Sequence, residues 1–205
     1  MKILSAELAS SAVSAGQVAR LTDLQIALVG RSNVGKSSLI NALIRRKLAR
    51  TSRAPGKTDL INLYRVRIGL TATRTETLCL VDLPGYGYAR GGTTRAQVFA
   101  ARASEYFDAL EGQRAAHGPT PLPVLLLVDA RHPGLDADRG ALEWLVSRGL
   151  RVLAVGTKAD TLARAERQRA QRALDEQTGS PVLLVSAKNG DGLKELWRLI
   201  LDVAV

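Results

Sequence analysis

A single cysteine, Cys79, stands in the 205-residue chain, so no internal disulfide can form. That suits a reducing cytosol. Cys79 lies in the apolar run Leu78-Cys79-Leu80-Val81 and reads as a small buried thiol. No stretch approaches the roughly 20 apolar residues needed to cross a bilayer. The N-terminus lacks a secretory pattern, because Glu7 interrupts it and no continuous apolar core follows Lys2. The expectation is a soluble, cytoplasmic protein without membrane contact. Repeats, low-complexity linkers and a second domain are also missing. The two histidines, His117 and His132, fall in loop or surface contexts and receive no catalytic role.

Acidic residues are scarce as well. Nineteen Asp and Glu face 29 Lys and Arg, a net charge of +10 with a pI near 10.3. Such a surplus favours polyanionic partners, nucleic acid before acidic membrane surface. It is concentrated: Arg45, Arg46, Lys47, Arg50, Arg53 and Lys57 follow one another with no intervening acid. Few aromatics flank them, which points to backbone phosphate rather than base stacking. By contrast Arg164, Arg167, Arg169 and Arg172 share a helical segment with Glu166, Asp175 and Glu176, and read as a solvated helix face.

What is present is an alternation of short apolar runs with helical patterns, the mark of a mostly parallel sheet wrapped by helices. Runs at 24–29, 124–128, 152–155 and 182–185 are continuous enough for strands buried on both faces. Between Ile61 and Asp82 the residues Tyr64, Val66 and Ile68 alternate with Arg65 and Arg67, so one face is wet and a hairpin with 76–82 is expected. Helices are expected at 35–46, 94–111, 136–147, 163–177 and 192–203. In the last, Leu193, Leu196, Trp197, Ile200 and Leu201 share one face, making Trp197 a core anchor; Trp144 reads the same way. The expected architecture is α/β with six strands, one antiparallel edge strand and helices on both faces. Residues 1–23 would be an N-terminal segment packed on a domain spanning 24–205.

Three motifs carry chemistry. Gly30-Arg31-Ser32-Asn33-Val34-Gly35-Lys36-Ser37 completes the GxxxxGK[ST] pattern after a strand and before a helix. Such a loop turns backbone N–H groups inward around phosphates at the positive end of a helix. Lys36 is expected to reach the β- and γ-phosphates, and the Ser37 hydroxyl to bind magnesium. Asp82-Leu83-Pro84-Gly85 ends a strand, where Asp82 can hold magnesium through water and the Gly85 N–H can sense the γ-phosphate. Thr157-Lys158-Ala159-Asp160 and Val185-Ser186-Ala187-Lys188 end the next two strands. The Asp160 carboxylate can accept from the N1 and N2 donors of guanine, whereas adenine would leave it unpaired, at a cost on the order of 1–3 kcal/mol. The Lys158 stem can cover the base, and the Ala187 N–H is placed for the guanine carbonyl. All these motifs sit at the carboxyl ends of strands, where open α/β sheets bind ligands.

The run from Gly30 through Ser38 to Asn41, Pro55-Gly56-Lys57-Thr58 ahead of Leu60-Ile61-Asn62, and Val81-Asp82-Leu83-Pro84-Gly85-Tyr86-Gly87-Tyr88-Ala89 together resemble the EngB (YihA/YsxC) GTPases. Leu127-Val128-Asp129-Ala130-Arg131-His132 and Thr157-Lys158-Ala159-Asp160 fit the same pattern. The resemblance runs from about Lys2 to the C-terminus. It implies a P-loop GTPase domain acting in maturation of the large ribosomal subunit; a monomer is expected, and the basic stretch from Arg45 to Lys57 is expected to contact ribosomal RNA. It also implies that Thr58 closes over magnesium and the γ-phosphate, with residues 50–59 and 85–92 as the two loops that respond to GTP. Lys36, Thr58 and Gly85 are then the catalytic candidates, and Ser37, Thr58 and Asp82 the metal ligands. A regulatory GTP-binding module with negligible turnover, unconnected to the ribosome, stands as the alternative.

Two departures shape the expectations. Tyr86 stands where many GTPases place a glutamine that orients water, so slow intrinsic hydrolysis is expected. Asn33 either binds a monovalent cation such as potassium or simply tolerates the loop's backbone. Thr157 replaces the asparagine usual in its motif, and its shorter side chain implies a loosely pinned base loop and modest nucleotide affinity.

Overall fold

A computed structural model describes residues 1–12, 24–50, 60–86, 94–117 and 123–204. Seven strands form one sheet in the order β1-β3-β4-β2-β5-β6-β7. They are β1 (Lys2–Ala12), β2 (Leu24–Gly30), β3 (Ile61–Gly69), β4 (Thr75–Asp82), β5 (Pro123–Asp129), β6 (Arg151–Thr157) and β7 (Leu183–Leu184). β3 runs antiparallel to both β1 and β4, and the other pairings are parallel.

The expected α/β fold and its antiparallel edge are present, but the strand count is seven rather than six. The additional strand is β1. Register shifts between Ile3 and Ser5 and between Leu8 and Ser10 interrupt its pairing with β3. Each bulge moves the next side chain to the other face, so the period of two that announces a strand is lost from the sequence.

Among the described residues, five α-helices flank the sheet: α1 (Lys36–Ile44), α2 (Thr94–His117), α3 (Asp136–Ser147), α4 (Arg164–Thr178) and α5 (Leu193–Ala204). β2 shows why its run is uniformly apolar. Ala27 and Val29 face a core completed by Phe99, Tyr106 and Phe107 of α2 and Leu145 of α3. Ile26 and Leu28 face a second core, completed by Leu39, Ile40 and Leu43 of α1 and Leu196 and Ile200 of α5. A strand between two helical layers has no wet side. Trp197 is buried in the second core, and its indole N–H donates to the Leu43 carbonyl at 3.3 Å, tying α5 to the last turn of α1. Trp144 is partly buried against Phe99 and Phe107, with the Arg148 guanidinium 5.4 Å from its ring centre. Cys79 is buried and is not disulfide-bonded. Among the described residues, no helix is long and apolar enough to cross a membrane.

Candidate functional site

The loops leaving β2, β4, β6 and β7 meet at one end of the sheet. Residues 30–35 pass from β2 into α1 through two positive-φ positions, Asn33 at 64° and Gly35 at 111°. Gly30 must lack a side chain, since a Cβ there would lie 2.8 Å from both the Leu127 carbonyl and a Val34 methyl. Val34 is buried under the loop, while Asn33 and Ser38 are exposed. Lys36 folds back so that Nζ donates to the Gly30 carbonyl at 3.0 Å. Burial pulls the Lys36 pKa below its ordinary value, and the nearby Asp82 charge acts in the opposite direction.

The second motif closes against the first. Ser37 Oγ donates to Asp82 Oδ2 at 3.3 Å. Burial raises the Asp82 pKa, against the pull of Lys36 and Ser37. Its other oxygen, Oδ1, is buried without a hydrogen-bond partner among the described residues. A carboxylate with one lone oxygen beside a serine hydroxyl fits a hydrated hard cation held between Ser37 and Asp82. Leu83 and Pro84 are buried, and the Leu83 N–H donates to the Leu28 carbonyl at 3.3 Å. Gly85 lies so close to the first loop that a Cβ would fall 2.9 Å from the Ser32 nitrogen and 3.1 Å from Lys36 Nζ. The Ser32 N–H then donates to the Tyr86 carbonyl at 2.8 Å.

Tyr86 turns away from this opening. Its ring packs 5.2 Å from that of Phe99, and its hydroxyl donates to Asp138 Oδ1 at 2.9 Å. Arg31 Nε reaches the same oxygen at 3.1 Å. Burial, then the Asp138 charge and hydrogen bond, hold the Tyr86 hydroxyl far above the ordinary phenol range. Burial likewise raises Asp138, with Tyr86 and Arg31 opposing. Sequence reasoning missed Asp138. It lies 52 residues beyond Tyr86, on α3, and an acid in a first helical turn reads as an ordinary dipole partner.

The base motif fastens onto the phosphate motif. The Thr157 hydroxyl sits 2.7 Å from the Val34 carbonyl and 3.1 Å from that of Val128, donating to one at a time. The short side chain thus bridges the base loop to the phosphate loop. Lys158, at φ 61°, donates through Nζ to the Asn33 carbonyl at 2.6 Å and to Asp129 Oδ2 at 2.9 Å. Burial would raise the Asp129 pKa, but hydrogen bonds from Arg131 and Lys158 prevail and hold it well below the usual carboxylate range. The Ala159 N–H donates to the Val185 carbonyl at 3.1 Å, and the buried Ser186 hydroxyl donates to Asp160 Oδ1 at 2.7 Å. Lys188 and Asn189 return their N–H groups to Ser186 Oγ at 3.2 and 3.3 Å, turning the loop around Ala187. Asp129, like Asp138, was not among the expected site residues. The 127–132 run had been noted, but only for its resemblance.

Of the sequence-predicted residues, 30–38, 82–85, 157–160 and 185–188 are thus brought to one place. Pro55, Gly56, Lys57 and Thr58 lie outside the described residues, as do Arg53 and most of the second responsive loop. The sequence model of a family described as "50S ribosome-binding GTPase" matches residues 25–158, more than half of the chain. A probable GTP-binding protein EngB from Shouchella clausii is 39% identical over 98% of this chain and 97% of its own length. The chain belongs to the EngB family of GTP-binding GTPases.

Another EngB protein, from Geobacillus kaustophilus, is 38% identical with the same coverage of both chains. Among solved structures, a probable EngB protein superposes with TM-score 0.59 at 23% identity, covering 88% of this chain and 98% of that one. Aquifex aeolicus Era bound to GDP and aluminium fluoride superposes with TM-score 0.66 at 21% identity, over 88% of this chain and 56% of its own. These two likenesses speak for the shared fold. GTP binding and hydrolysis follow from membership of the EngB family.

Proposed function

We propose that this EngB protein uses GTP hydrolysis to gate its attachment to the large ribosomal subunit during assembly, acting as a cytoplasmic monomer on ribosomal RNA. The observation that carries the nucleotide half is the mutual fastening of the phosphate and base loops through Thr157 and Lys158. Residues 30–38 would hold the phosphates, with Lys36 directed at the β- and γ-groups. Lys158, Asp160, Ser186 and Ala187 would take guanine. Ser37, Asp82 and Thr58 would hold magnesium, which when bound neutralises charge developing on the transferred phosphoryl group. Gly85 would donate its N–H to the γ-phosphate, and its crowding against Ser32 couples that contact to the phosphate loop.

Slow intrinsic turnover is part of the proposal. With its hydroxyl committed to Asp138, Tyr86 does not orient an attacking water. A potassium ion beside Asn33 would supply charge that Tyr86 does not, and turnover unchanged between potassium and sodium would remove that element. The alternative of a binding module with negligible turnover draws on the same tyrosine. Single-turnover phosphate release separates the two.

The ribosomal half is supported by the description of the matching family and by the basic turn after α1. Arg45, Arg46, Lys47 and Arg50 are exposed there. Asn41 braces the turn, accepting from the Leu48 and Ala49 N–H groups at 2.9 and 2.8 Å and donating to the Ala49 carbonyl at 2.7 Å. The deciding experiment is sedimentation with purified large subunits, comparing a non-hydrolysable GTP analogue with GDP across a salt series. Binding that requires the triphosphate and weakens with salt is expected; no binding with either nucleotide at low salt would refute the ribosomal role.

A further inference from the structure

α4 carries a polar stripe that its near-balanced charge conceals. Arg167, Gln171 and Asp175 recur every four residues and so share one face of the helix. Gln171 and Asp175 hold the backbone entering β7, while Arg167 holds the loop that follows β6 and a side chain beyond β7. Gln171 Nε2 donates to the Val182 carbonyl, and Asp175 Oδ1 accepts from the Val182 N–H at 2.7 Å. Arg167 Nε donates to the Ala159 carbonyl at 2.8 Å, and both its terminal nitrogens reach Asp191 Oδ2 at 3.3 Å. The reason lies in the sheet. β7 pairs with β6 over two residues only, so the neighbouring backbone has little ladder to satisfy it, and α4 side chains take that place.

Arg167 differs from its two companions because of what it joins. Ala159 stands between Lys158 and Asp160, the two residues assigned to guanine. Asp191 accepts the Ser186 N–H on its carbonyl at 3.0 Å, and the Ser186 hydroxyl in turn donates to Asp160 Oδ1 at 2.7 Å. The contacts form a closed circuit from Arg167 through one base loop, across Ser186 to the other, and back through Asp191. Asn189 Nδ2 donates to Asp191 Oδ2, the oxygen that Arg167 reaches, at 3.0 Å, bracing the return side. A guanidinium suits this corner: its fixed fork donates in two directions at once and does not lose its proton.

We infer that Arg167 is a positioning residue for base selectivity: it locks the two guanine loops together and thereby aims the Asp160 carboxylate. The inference rests on the guanine reading of Asp160. Arg167 touches the loops and not the nucleotide. Its pair with Asp191 is partly exposed, at 36% and 46% of the two side chains, and pairs of that kind add little to global stability. The consequence of losing it is therefore an altered preference among bases rather than a lower melting temperature.

The experiment measures GDP and inosine diphosphate affinities by competition with a fluorescent GDP, for Arg167→Ala, Arg167→Lys, Asp191→Ala and Asp160→Asn. Inosine diphosphate lacks the 2-amino group, so the ratio of the two affinities reads how well the Asp160 carboxylate is aimed. Arg167→Ala is expected to lose about tenfold in GDP affinity and to narrow the ratio, with its urea midpoint unchanged. Asp191→Ala is expected to narrow the ratio similarly. Arg167→Lys is expected to recover part of the affinity, since one ammonium can serve the Ala159 carbonyl but not both partners. An unchanged ratio in folded Arg167→Ala and in Asp191→Ala overturns the inference; if Arg167→Ala does not fold, Asp191→Ala decides by itself. Asp160→Asn separates the two levels. Unaltered GDP affinity in that variant overturns the guanine reading and the inference together, whereas a loss there without one at Arg167 overturns only the inference.

Discussion

A methyl group at Gly85 would arrive 2.9 Å from the Ser32 nitrogen and 3.1 Å from the Lys36 ammonium. Neither neighbour can yield freely: Ser32 is tied to the Tyr86 carbonyl and Lys36 to the Gly30 carbonyl. Gly85→Ala should therefore displace the strand-end loop from the phosphate loop. Multiple-turnover phosphate release is expected to fall about tenfold or more, the equivalent of at least 1.4 kcal/mol on the barrier. GDP affinity, which needs no γ-phosphate contact, should hold; equal losses in both would count against the assigned role. Asp138 makes a different kind of prediction. Burial raises its pKa, so its contribution to stability is present below the ordinary aspartate value of 3.8 and is lost as pH climbs through the raised one. Asp138→Asn removes that titration. The stability of the native protein relative to this variant should then decline from pH 4 to pH 8, read as the difference in urea midpoints, and a flat difference would contradict it.

At the scale of elements, the sheet's antiparallel edge and its nucleotide end are physically separable. β1 touches β3 along its length, while β2, β4, β6 and β7 carry the site and β5 supports it. Ala6→Pro, placed opposite Val66 at a buried position of β1, removes a donor and forces the bulged strand off its partner. Hydrogen exchange should accelerate across β1 and the facing amides of β3, with GDP affinity retained. Loss of GDP binding in a folded variant would mean that the edge supports the site after all. The same division shows what could be read from the sequence. Central strands such as β2 and β5 announced themselves as unbroken apolar runs, and each site motif stood at the end of a strand. β1 did not, because its two bulges erase the alternation. The contacts that aim the motifs were equally invisible. Asp138 meets Tyr86 across 52 residues and Arg167 meets Asp191 across 24, and nothing in local spacing records which side chains a fold will bring together. Arg167 was hidden further by the acids beside it, which gave its helix the look of a solvated face.

For the whole molecule the governing quantity is charge. A surplus of +10 on 205 residues acts at a distance on any polyanion, but a rigid cluster does more than a diffuse one. The turn after α1 is such a cluster. Arg45 adopts φ 56° and its N–H returns to the Asn41 carbonyl, Ala49 is buried beneath, and Arg45, Arg46 and Lys47 face outward together. Because Asn41 belongs to α1, this part of the surface should keep its shape whichever nucleotide is bound. It would then set the salt dependence of subunit binding, and the GTP requirement would arise elsewhere. Each phosphate contact contributes a slope of about −0.7 to −0.9 in log affinity against log salt, so three cations at one site account for a slope of about −2 to −3. Replacing Arg45, Arg46 and Lys47 together by glutamate should weaken binding of the GTP-analogue form to large subunits and flatten the salt slope by about that amount. GDP affinity, fixed at the other end of α1, should stay the same. A triple variant that keeps the native slope would place the ribosomal contact on another face. One that loses nucleotide affinity as well would show that the turn and the phosphate loop, joined by the nine residues of α1, act as a single unit.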